Sequence, residues 1–333
     1  MNCLPTGLTV SKKVLLTGAG FTKDFGGFLA TEMWAFIFNN PSLDNHPEIK
    51  NLLRHNFSYE SVYHEVVKTL EYENGDRDAI KEAVKSAYDK LDESIRGYYN
   101  KTNRTANSTT LTDFIQRFHG ADNSRGFFFT LNQDLFVERY CRGGDMHIET
   151  PGVTLQRNIH HDNNLTDLDF VNLPEDEQVT QFSSENNPLR SDRFHYVKLH
   201  GSYHWKDSAG NAHMVIGEDK TDQISREPLL KYYSELFQEV LSDGNVELFV
   251  IGYGFGDEHI NRVIVDSIRD NGLKLHVMNP DAPEMFKNIL SNSPNCENLW
   301  DNLRAYYPYN MSRVFPQNNK AVEHEQIMNH FFH

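Results

Sequence analysis

Short apolar runs that end in polar or glycine residues recur along the chain, and they predict buried β-strands. The five clearest runs are residues 14–17, 127–130, 196–199, 248–251 and 275–278. Apolar runs of this length, bounded by turn residues, are typical of strands that are covered on both faces, as in a parallel sheet.

Segments with helical spacing lie between several of these runs. One apolar stripe recurs at intervals of three and four residues, at Ile80, Val84, Ala87, Leu91 and Ile95. Residues 229–241 and 258–268 show spacing of the same kind. Strands that alternate with helices predict an α/β fold, here a Rossmann-like open parallel sheet flanked by helices.

Two long stretches interrupt this alternation. Residues 31–122, most of which have helical character, are predicted to form a helical insert within a single domain that spans residues 1–333. Residues 145–192 are rich in Asn, Asp, Gln and Pro, and they are predicted to form a polar surface loop. This loop is either a lid over a binding site or a solvated insertion.

Composition and charge narrow the classes of function. The chain has 333 residues, of which 38% are hydrophobic, and a formal net charge of -15. An acidic surface repels phosphate backbones, so we expect no direct nucleic-acid binding. No apolar run approaches the ~20 residues of a membrane helix, and the N-terminus lacks a secretory pattern, so we expect a cytoplasmic protein that does not engage a membrane. Three widely separated cysteines cannot form a four-cysteine zinc site, and we expect no bound metal.

Polar and glycine residues follow each of the five predicted strands. The carboxyl ends of parallel strands meet at one edge of a sheet, which is where open α/β folds bind their ligands. The residues that we expect at this edge are Gly18, Ala19, Gly20, Thr22, Asn132, Asp134, His200, Gly252, Gly254, Asp257 and Asn279. Their convergence predicts a functional site.

The first glycine loop has two explanations when it is taken alone. Glycines permit tight strand-to-helix turns, and Lys23 stands where the dinucleotide fingerprint beginning at Gly18 and Gly20 requires a third glycine. The same glycines would also let backbone N–H groups approach a pyrophosphate. The loop by itself does not decide between a turn and a phosphate site.

The polar residues also have structural explanations. Asn132, Asp134 and Asp257 are each placed to cap a following helix. An isolated histidine such as His200 is more often a hydrogen-bonded core residue than a catalytic one. These alternatives stay open for each residue alone.

Four segments, in this order, resemble the sirtuin (SIR2-like) superfamily, and most closely the SIR2-like NADase domains of bacterial antiphage defence systems. They are GAGFT at 18–22, TLNQD at 130–134, KLHGS at 198–202 and IGYGFGDEHIN at 251–261. The specific part is an Asn-x-Asp segment and a His-Gly pair that both follow a Gly-Ala-Gly loop. The resemblance covers the sheet-forming half of the chain.

The resemblance implies a role for each matching residue. Asn132 would position the water or the ribose at the nicotinamide end of NAD, Asp134 would contact the carboxamide, and His200 would be the general base. The pyrophosphate and adjoining ribose would be lined by Gly18, Ala19, Gly20 and Thr22. The adenosine half would be bordered by Gly252, Gly254 and Asp257, with Asn279 at the adenine ribose.

The reaction that this resemblance implies is hydrolysis of NAD⁺ to nicotinamide and ADP-ribose, with NAD as substrate and no zinc. The chain departs from deacylating sirtuins, because three cysteines cannot build their four-cysteine zinc ribbon and residues 24–28 read DFGGF. An NAD-dependent protein deacylase or ADP-ribosyltransferase is therefore the weaker alternative. A catalytically idle NAD or ADP-ribose sensor subunit is a second alternative, which an intact pair of Asn132 and His200 disfavours.

An enzyme that depletes NAD needs restraint in its own cell. The resemblance implies a homo-oligomer that acts in antiphage defence and is regulated by a protein partner in trans, such as a HerA-like ATPase or an argonaute-type protein.

Overall fold

The computed structural model describes residues 9–120, 124–141, 148–153, 159, 162–184, 189, 194–207, 212–318 and 321–333. The strands in this part of the chain are β1 (Thr9–Thr17), β2 (Ser124–Thr130), β3 (Ile148–Glu149), β4 (Val171–Asn172), β5 (Phe194–Lys198), β6 (Gly201–Lys206), β7 (Ala212–Met214), β8 (Glu247–Ile251), β9 (Lys274–Met278) and β10 (Leu303–Tyr307). The helices are α1 (Ala30–Phe38), α2 (Pro47–His55), α3 (Tyr59–Lys68), α4 (Asn74–Arg96), α5 (Ser108–Gln116), α6 (Phe136–Tyr140), α7 (Asp176–Ser184), α8 (Lys220–Arg226), α9 (Pro228–Leu241), α10 (Glu258–Asn271), α11 (Pro283–Ser291), α12 (Met311–Val314) and α13 (Val322–Phe331). None of these helices combines the length and the apolarity needed to cross a lipid bilayer.

Seven strands form one open sheet in the order β10-β9-β8-β1-β2-β5-β3. Every pairing between neighbours in this sheet is parallel. The five predicted runs are its five central strands, which confirms the predicted Rossmann-like α/β fold. The chain order reverses at β1, because β2 and β5 lie on one side of it and β8, β9 and β10 on the other.

The ends of the five central strands are in register across the sheet. Thr17 pairs with both Thr130 and Ile251, Thr130 pairs with Lys198, and Ile251 pairs with Met278. The residues that follow these five positions therefore emerge side by side. This alignment brings segments far apart in the sequence to one edge of the sheet, at the point of strand-order reversal where such folds bind ligands.

Two apolar cores cover the two faces of this sheet. Alternate residues of β1 point to opposite faces, so Leu15 packs in one core and Leu16 in the other. The first core also contains the apolar sides of α1 to α5, including the stripe on α4 from Ile80 to Ile95, whose burial confirms the predicted helix. The second core contains α9 and α10, which the sequence also predicted.

The sequence did not predict the short or peripheral strands. β3 and β10 form the two edges of the main sheet, and β4, β6 and β7 form a separate three-stranded sheet. The proposed helical insert at 31–122 lies between β1 and β2, in the stretch that carries α1 to α5. The proposed polar loop at 145–192 falls partly outside the described residues, and its described part carries β3, β4 and α7.

Candidate active site

A pocket of about 470 Å³ opens at the carboxyl edge of the central strands. Its volume lies within the range of roughly 300–1,000 Å³ that is usual for small-molecule sites. Ten of the eleven predicted residues line it, namely Gly18, Ala19, Gly20, Asn132, Asp134, His200, Gly252, Gly254, Asp257 and Asn279. The other predicted residue, Thr22, is buried and is not among the lining residues.

In the glycine-rich loops after β1 and β8, glycine is needed for packing at some positions and leaves the backbone open at others. The loop after β1 packs directly against the loop after β8, where the N–H groups of Gly18 and Gly20 donate to the carbonyls of Ile251 and Gly252. A Cβ at Gly252 would lie 2.3 Å from the nitrogen of Phe21. The contact between the loops therefore requires glycine, and it occupies the two N–H groups that a pyrophosphate would otherwise bind.

Gly254 and Gly256 have open surroundings. A Cβ at either position would meet no atom within 4 Å, and both residues line the pocket. Here the backbone is exposed to a ligand, so close approach of a phosphate group is sterically possible.

Asp134 is held in place by the protein. Its Oδ1 accepts a hydrogen bond from the backbone N–H of Phe136 at 3.0 Å, and its Oδ2 accepts one from the hydroxyl of Thr22 at 2.9 Å. Burial raises the pKa of Asp134, while the nearby charge of Lys198 acts in the opposite direction. Asp134 thus lies one residue before Leu135, the N-cap residue of α6, and it binds the first backbone N–H of that helix, while the hydroxyl of Thr22 holds its other oxygen.

Asn132 differs from Asp134 because its side chain is not fully satisfied. Its backbone N–H donates to the hydroxyl of Thr130 at 3.1 Å, which places the residue directly after β2. Its side-chain nitrogen is buried, and among the described residues no hydrogen-bond partner reaches it. Because buried polar groups are nearly always paired, this amide is available to a ligand or a water molecule.

His200 sits in the turn between β5 and β6 and is 4% exposed. Its Nε2 lies 3.1 Å from Nε2 of His259, in the first turn of α10. Burial lowers the pKa of His200 to about 3, although the charge of Asp257 acts in the opposite direction. The His200 ring is therefore neutral in the physiological pH range, with a proton on one nitrogen and a lone pair on the other.

An ion-pair network crosses the pocket beside these histidines. The ammonium group of Lys220, at the start of α8, lies 2.8 Å from a carboxylate oxygen of Asp257 and 2.8 Å from one of Glu60 on α3. Burial alone would lower the pKa of Lys220, but these two carboxylates raise it. Burial alone would raise the pKa of Asp257, but His200 and Lys220 lower it. Asp257 stands at the N-cap position of α10, yet its side chain makes no capping bond and binds Lys220 instead.

Gln133 connects the loop after β2 to the residues around it. Its Nε2 donates to the carbonyl of His200 at 3.1 Å and to that of Val215 at 2.7 Å. Its Oε1 accepts a hydrogen bond from the hydroxyl of Tyr88 on α4. The turn that carries His200 is thus joined through Gln133 to α4.

Sequence reasoning assigned no role to several residues in the pocket. Lys220, Glu60, Tyr59 and Tyr88 come from helices without a recognisable motif, and only their shared position in the fold reveals them. His259 did carry a signal, because it lies two residues after Asp257 in the motif at 251–261.

Negative charge predominates among the described residues that line the pocket. Four lining residues are carboxylates and one, Lys220, is cationic; the carboxylates are Glu60, Asp134, Asp257 and Asp281. A pocket lined in this way favours a positively charged group on a ligand.

His200, Asp257 and His259 are also residue types that bind metal ions, and their potential ligand atoms lie within 4.8 Å of one another. The ammonium group of Lys220 already pairs with Asp257 and would repel a second cation nearby. The cluster is therefore better suited to hydrogen bonding than to holding a metal ion.

Comparison with known proteins agrees with this geometry. The model of the SIR2-like domain family matches residues 126–303, which extend from β2 to the first residue of β10 and include Asn132, His200 and Asp257. No curated protein matches the chain. SIR2-like domains use NAD. Because the match covers more than half of the 333 residues, the chain belongs to the SIR2-like domain family.

Proposed function

We propose that the protein is an NAD⁺ glycohydrolase, which cleaves the bond between nicotinamide and ribose to give nicotinamide and ADP-ribose. The observation that carries this proposal is the pairing of Asn132 and His200 in one pocket, with the buried amide nitrogen of Asn132 unpaired among the described residues. A sensor that only binds NAD has no need of a neutral imidazole beside an unsatisfied amide.

Cleavage of NAD⁺ suits a pocket that is lined mainly by carboxylates. Nicotinamide leaves as a neutral group from a cationic ring, and the ribose passes through an oxocarbenium-like state. The carboxylates that line the pocket favour this positive charge. Asn132 can orient the attacking water without adding charge, and the neutral ring of His200 can accept its proton.

The binding part of the proposal assigns NAD along the pocket. Nicotinamide lies near Asn132, Asp134 and His200, and the adenosine half lies toward Gly254 and Asn279. The pyrophosphate lies against the open backbone at Gly254 and Gly256, because the N–H groups of Gly18 and Gly20 are already occupied.

A time course of NAD⁺ with the purified chain, followed by mass spectrometry, tests the proposal. The variants are His200→Ala and Asn132→Ala, with His55→Ala, an exposed histidine on α2, as the matched control. General-base catalysis contributes about 10²–10⁴-fold, so we expect His200→Ala to reduce turnover by that factor. Asn132→Ala should also reduce turnover, His55→Ala should not, and all three should unfold at the denaturant concentration of the parent chain.

Three outcomes would contradict the proposal. Normal turnover by His200→Ala would remove the assigned base. Formation of O-acyl-ADP-ribose with an acylated peptide, or transfer of ADP-ribose to a protein, would replace hydrolysis with the alternative reactions. Tight NAD binding with no product, in the oligomer and with partners present, would identify a sensor.

The biological role is part of the proposal as well. We propose that the chain acts as a homo-oligomer whose NAD consumption serves antiphage defence, and that a partner in trans controls it. The support is the resemblance of its loop motifs to the NADase domains of such systems. Light scattering of the purified chain tests the oligomer, and a fully active monomer would contradict it.

A further inference from the structure

A second imidazole touches the proposed base. The Nε2 atoms of His200 and His259 are 3.1 Å apart, a distance at which one nitrogen must carry a proton and the other a lone pair. Among the described residues, no other group forms a hydrogen bond with the ring of His200. His259 therefore influences which nitrogen of His200 is protonated.

This matters because only one tautomer of His200 can act as a base toward the pocket. With Nε2 directed at His259, Nδ1 is the nitrogen left to accept a proton from water. Nδ1 has a lone pair only when the proton of the neutral ring is on Nε2, and that proton then points to His259.

We propose that His259 is the positioning residue for His200: it accepts the Nε2–H of His200 and so holds the lone pair of Nδ1 toward the substrate. This inference rests on the proposed hydrolase function. In other enzymes, a catalytic histidine is oriented in the same way by the acceptor on its second nitrogen.

The proton balance of the step is complete. The water oxygen forms a bond to C1′ of the ribose, and the electron pair of the C1′–nitrogen bond leaves with nicotinamide. The water proton moves to Nδ1 of His200, which becomes an imidazolium ion whose Nε2–H stays hydrogen-bonded to His259. After the products leave, the proton passes to solvent, so each turnover releases one proton.

The charges around His259 support this arrangement. The carboxylates of Asp257 and Glu258, at the start of α10, act on His259, and so does the ammonium group of Lys220 on α8. Lys220 in turn pairs with Glu60 on α3. Asp257 also acts on His200, so its carboxylate compensates the positive charge that the pair carries after proton transfer. His259 is partly exposed, whereas His200 is buried, so solvent reaches the pair from the side of His259.

Two variants of the full chain test the role of His259. His259→Ala removes the acceptor, and His259→Gln supplies an amide oxygen that can accept the same hydrogen bond. We expect His259→Ala to lower kcat by about 10–100-fold with KM unchanged. This loss is smaller than the one that follows when a catalytic histidine loses a carboxylate partner, because His259 is neutral. His259→Gln should restore much of kcat, and Arg269→Gln, an exposed residue near the end of α10, should leave kcat unchanged.

A spectroscopic readout separates this inference from the proposed function. In chain labelled with ¹⁵N-histidine, with His200 assigned by its loss in His200→Ala, we expect the Nε2–H tautomer at His200. In His259→Ala, the signal should change to a mixture of tautomers. This measurement does not require turnover.

The results that would overturn the inference are distinct from those that overturn the hydrolase. If the parent chain hydrolyses NAD⁺ through His200 while His259→Ala has normal kcat, or has raised kcat because His259 blocks the base, the inference is wrong and the function stands. The inference is also wrong if His200 is found as the Nδ1–H tautomer. If His200→Ala keeps full turnover, His200 is not the base, and the inference loses its premise whatever the tautomer. If the parent chain forms no nicotinamide, the proposed function itself fails.

Discussion

The same substitution at two glycines of one loop should have opposite effects. Gly252 has a φ of 64° and packs against the loop after β1, whereas Gly254, two residues later, faces open space in the pocket. We therefore expect Gly252→Ala to unfold the site and Gly254→Ala to leave the fold intact. The pair tests whether this glycine motif serves the fold, the ligand or both.

The magnitude follows from the geometry at each position. A residue with a Cβ pays roughly 1–2 kcal/mol in the left-handed region. The new Cβ at Gly252 would also lie 2.3 Å from the nitrogen of Phe21 and 2.4 Å from the carbonyl carbon of Gly20, and relief of such overpacking costs roughly 1–3 kcal/mol. Together these terms predict a loss of about 2–5 kcal/mol, a large part of the roughly 5–15 kcal/mol that stabilises a typical domain.

At Gly254 the expected change has the other sign. The position lacks both the positive φ and the close atoms, so alanine reduces the entropy of the unfolded chain and stabilises by about 0.4–1 kcal/mol. Because the methyl group would enter the pocket where we place the pyrophosphate, NAD should bind more weakly to this variant.

Urea unfolding of the two variants and the parent, followed by circular dichroism, measures the stability differences, and a titration with NAD measures binding. The reasoning is refuted if Gly252→Ala and Gly254→Ala have equal midpoints, or if Gly254→Ala is the less stable. Unchanged NAD affinity in Gly254→Ala would instead contradict our placement of the pyrophosphate.

Three further predictions concern the ligand, pH and metal ions. NADP should be a poorer substrate than NAD, because its 2′-phosphate would meet a pocket edge that contains Asp281 and little positive charge. Comparison of kcat/KM for the two substrates checks this, and Asp281→Asn should narrow the difference between them. The free energy of unfolding should fall as the pH falls from about 6.5 toward 4. Burial lowers the pKa of His200 to about 3 and of His276 to about 4, so the unfolded chain binds protons that the folded chain does not. The slope is at most about 1.4 kcal/mol per pH unit for each histidine, and urea unfolding at pH 7 and pH 5 measures it; a flat profile, or the same slope in His276→Phe, would contradict this account. Chelation of divalent ions with EDTA should leave NAD⁺ turnover unchanged, since Lys220 already pairs with Asp257; a loss restored by one metal ion would make His200, Asp257 and His259 its ligands.

Much of the fold was predictable because its signals are local. A buried strand is recognisable from a few consecutive apolar residues, and the stripe on α4 from its spacing. By contrast, β3 and β4 have two residues each, too few to carry a periodicity. β10 is a half-covered edge strand, so its residues lack the continuous apolar run on which prediction depends.

The residues of the candidate site also fall into those that the sequence predicts and those that it does not. The glycine loops, Asn132 and His200 were predictable because each follows a strand end, and parallel strands bring their carboxyl ends together. The sequence placed Thr22 with the ligand contacts, but it is buried behind Asp134, since the turn after β1 directs its hydroxyl inward. The sequence pattern says where a loop begins, but not which way each side chain points.

The sequence by itself determined the central parallel sheet, the edge at which the candidate site lies and the pair of residues proposed to do the chemistry. The tertiary structure alone decided that Lys220 joins Glu60 and Asp257, and that His259 touches His200. Glu60, Lys220 and Asp257 lie on separate elements far apart along the chain. Their contact depends on how α3, α8 and α10 pack together, and no local pattern of residues encodes that geometry.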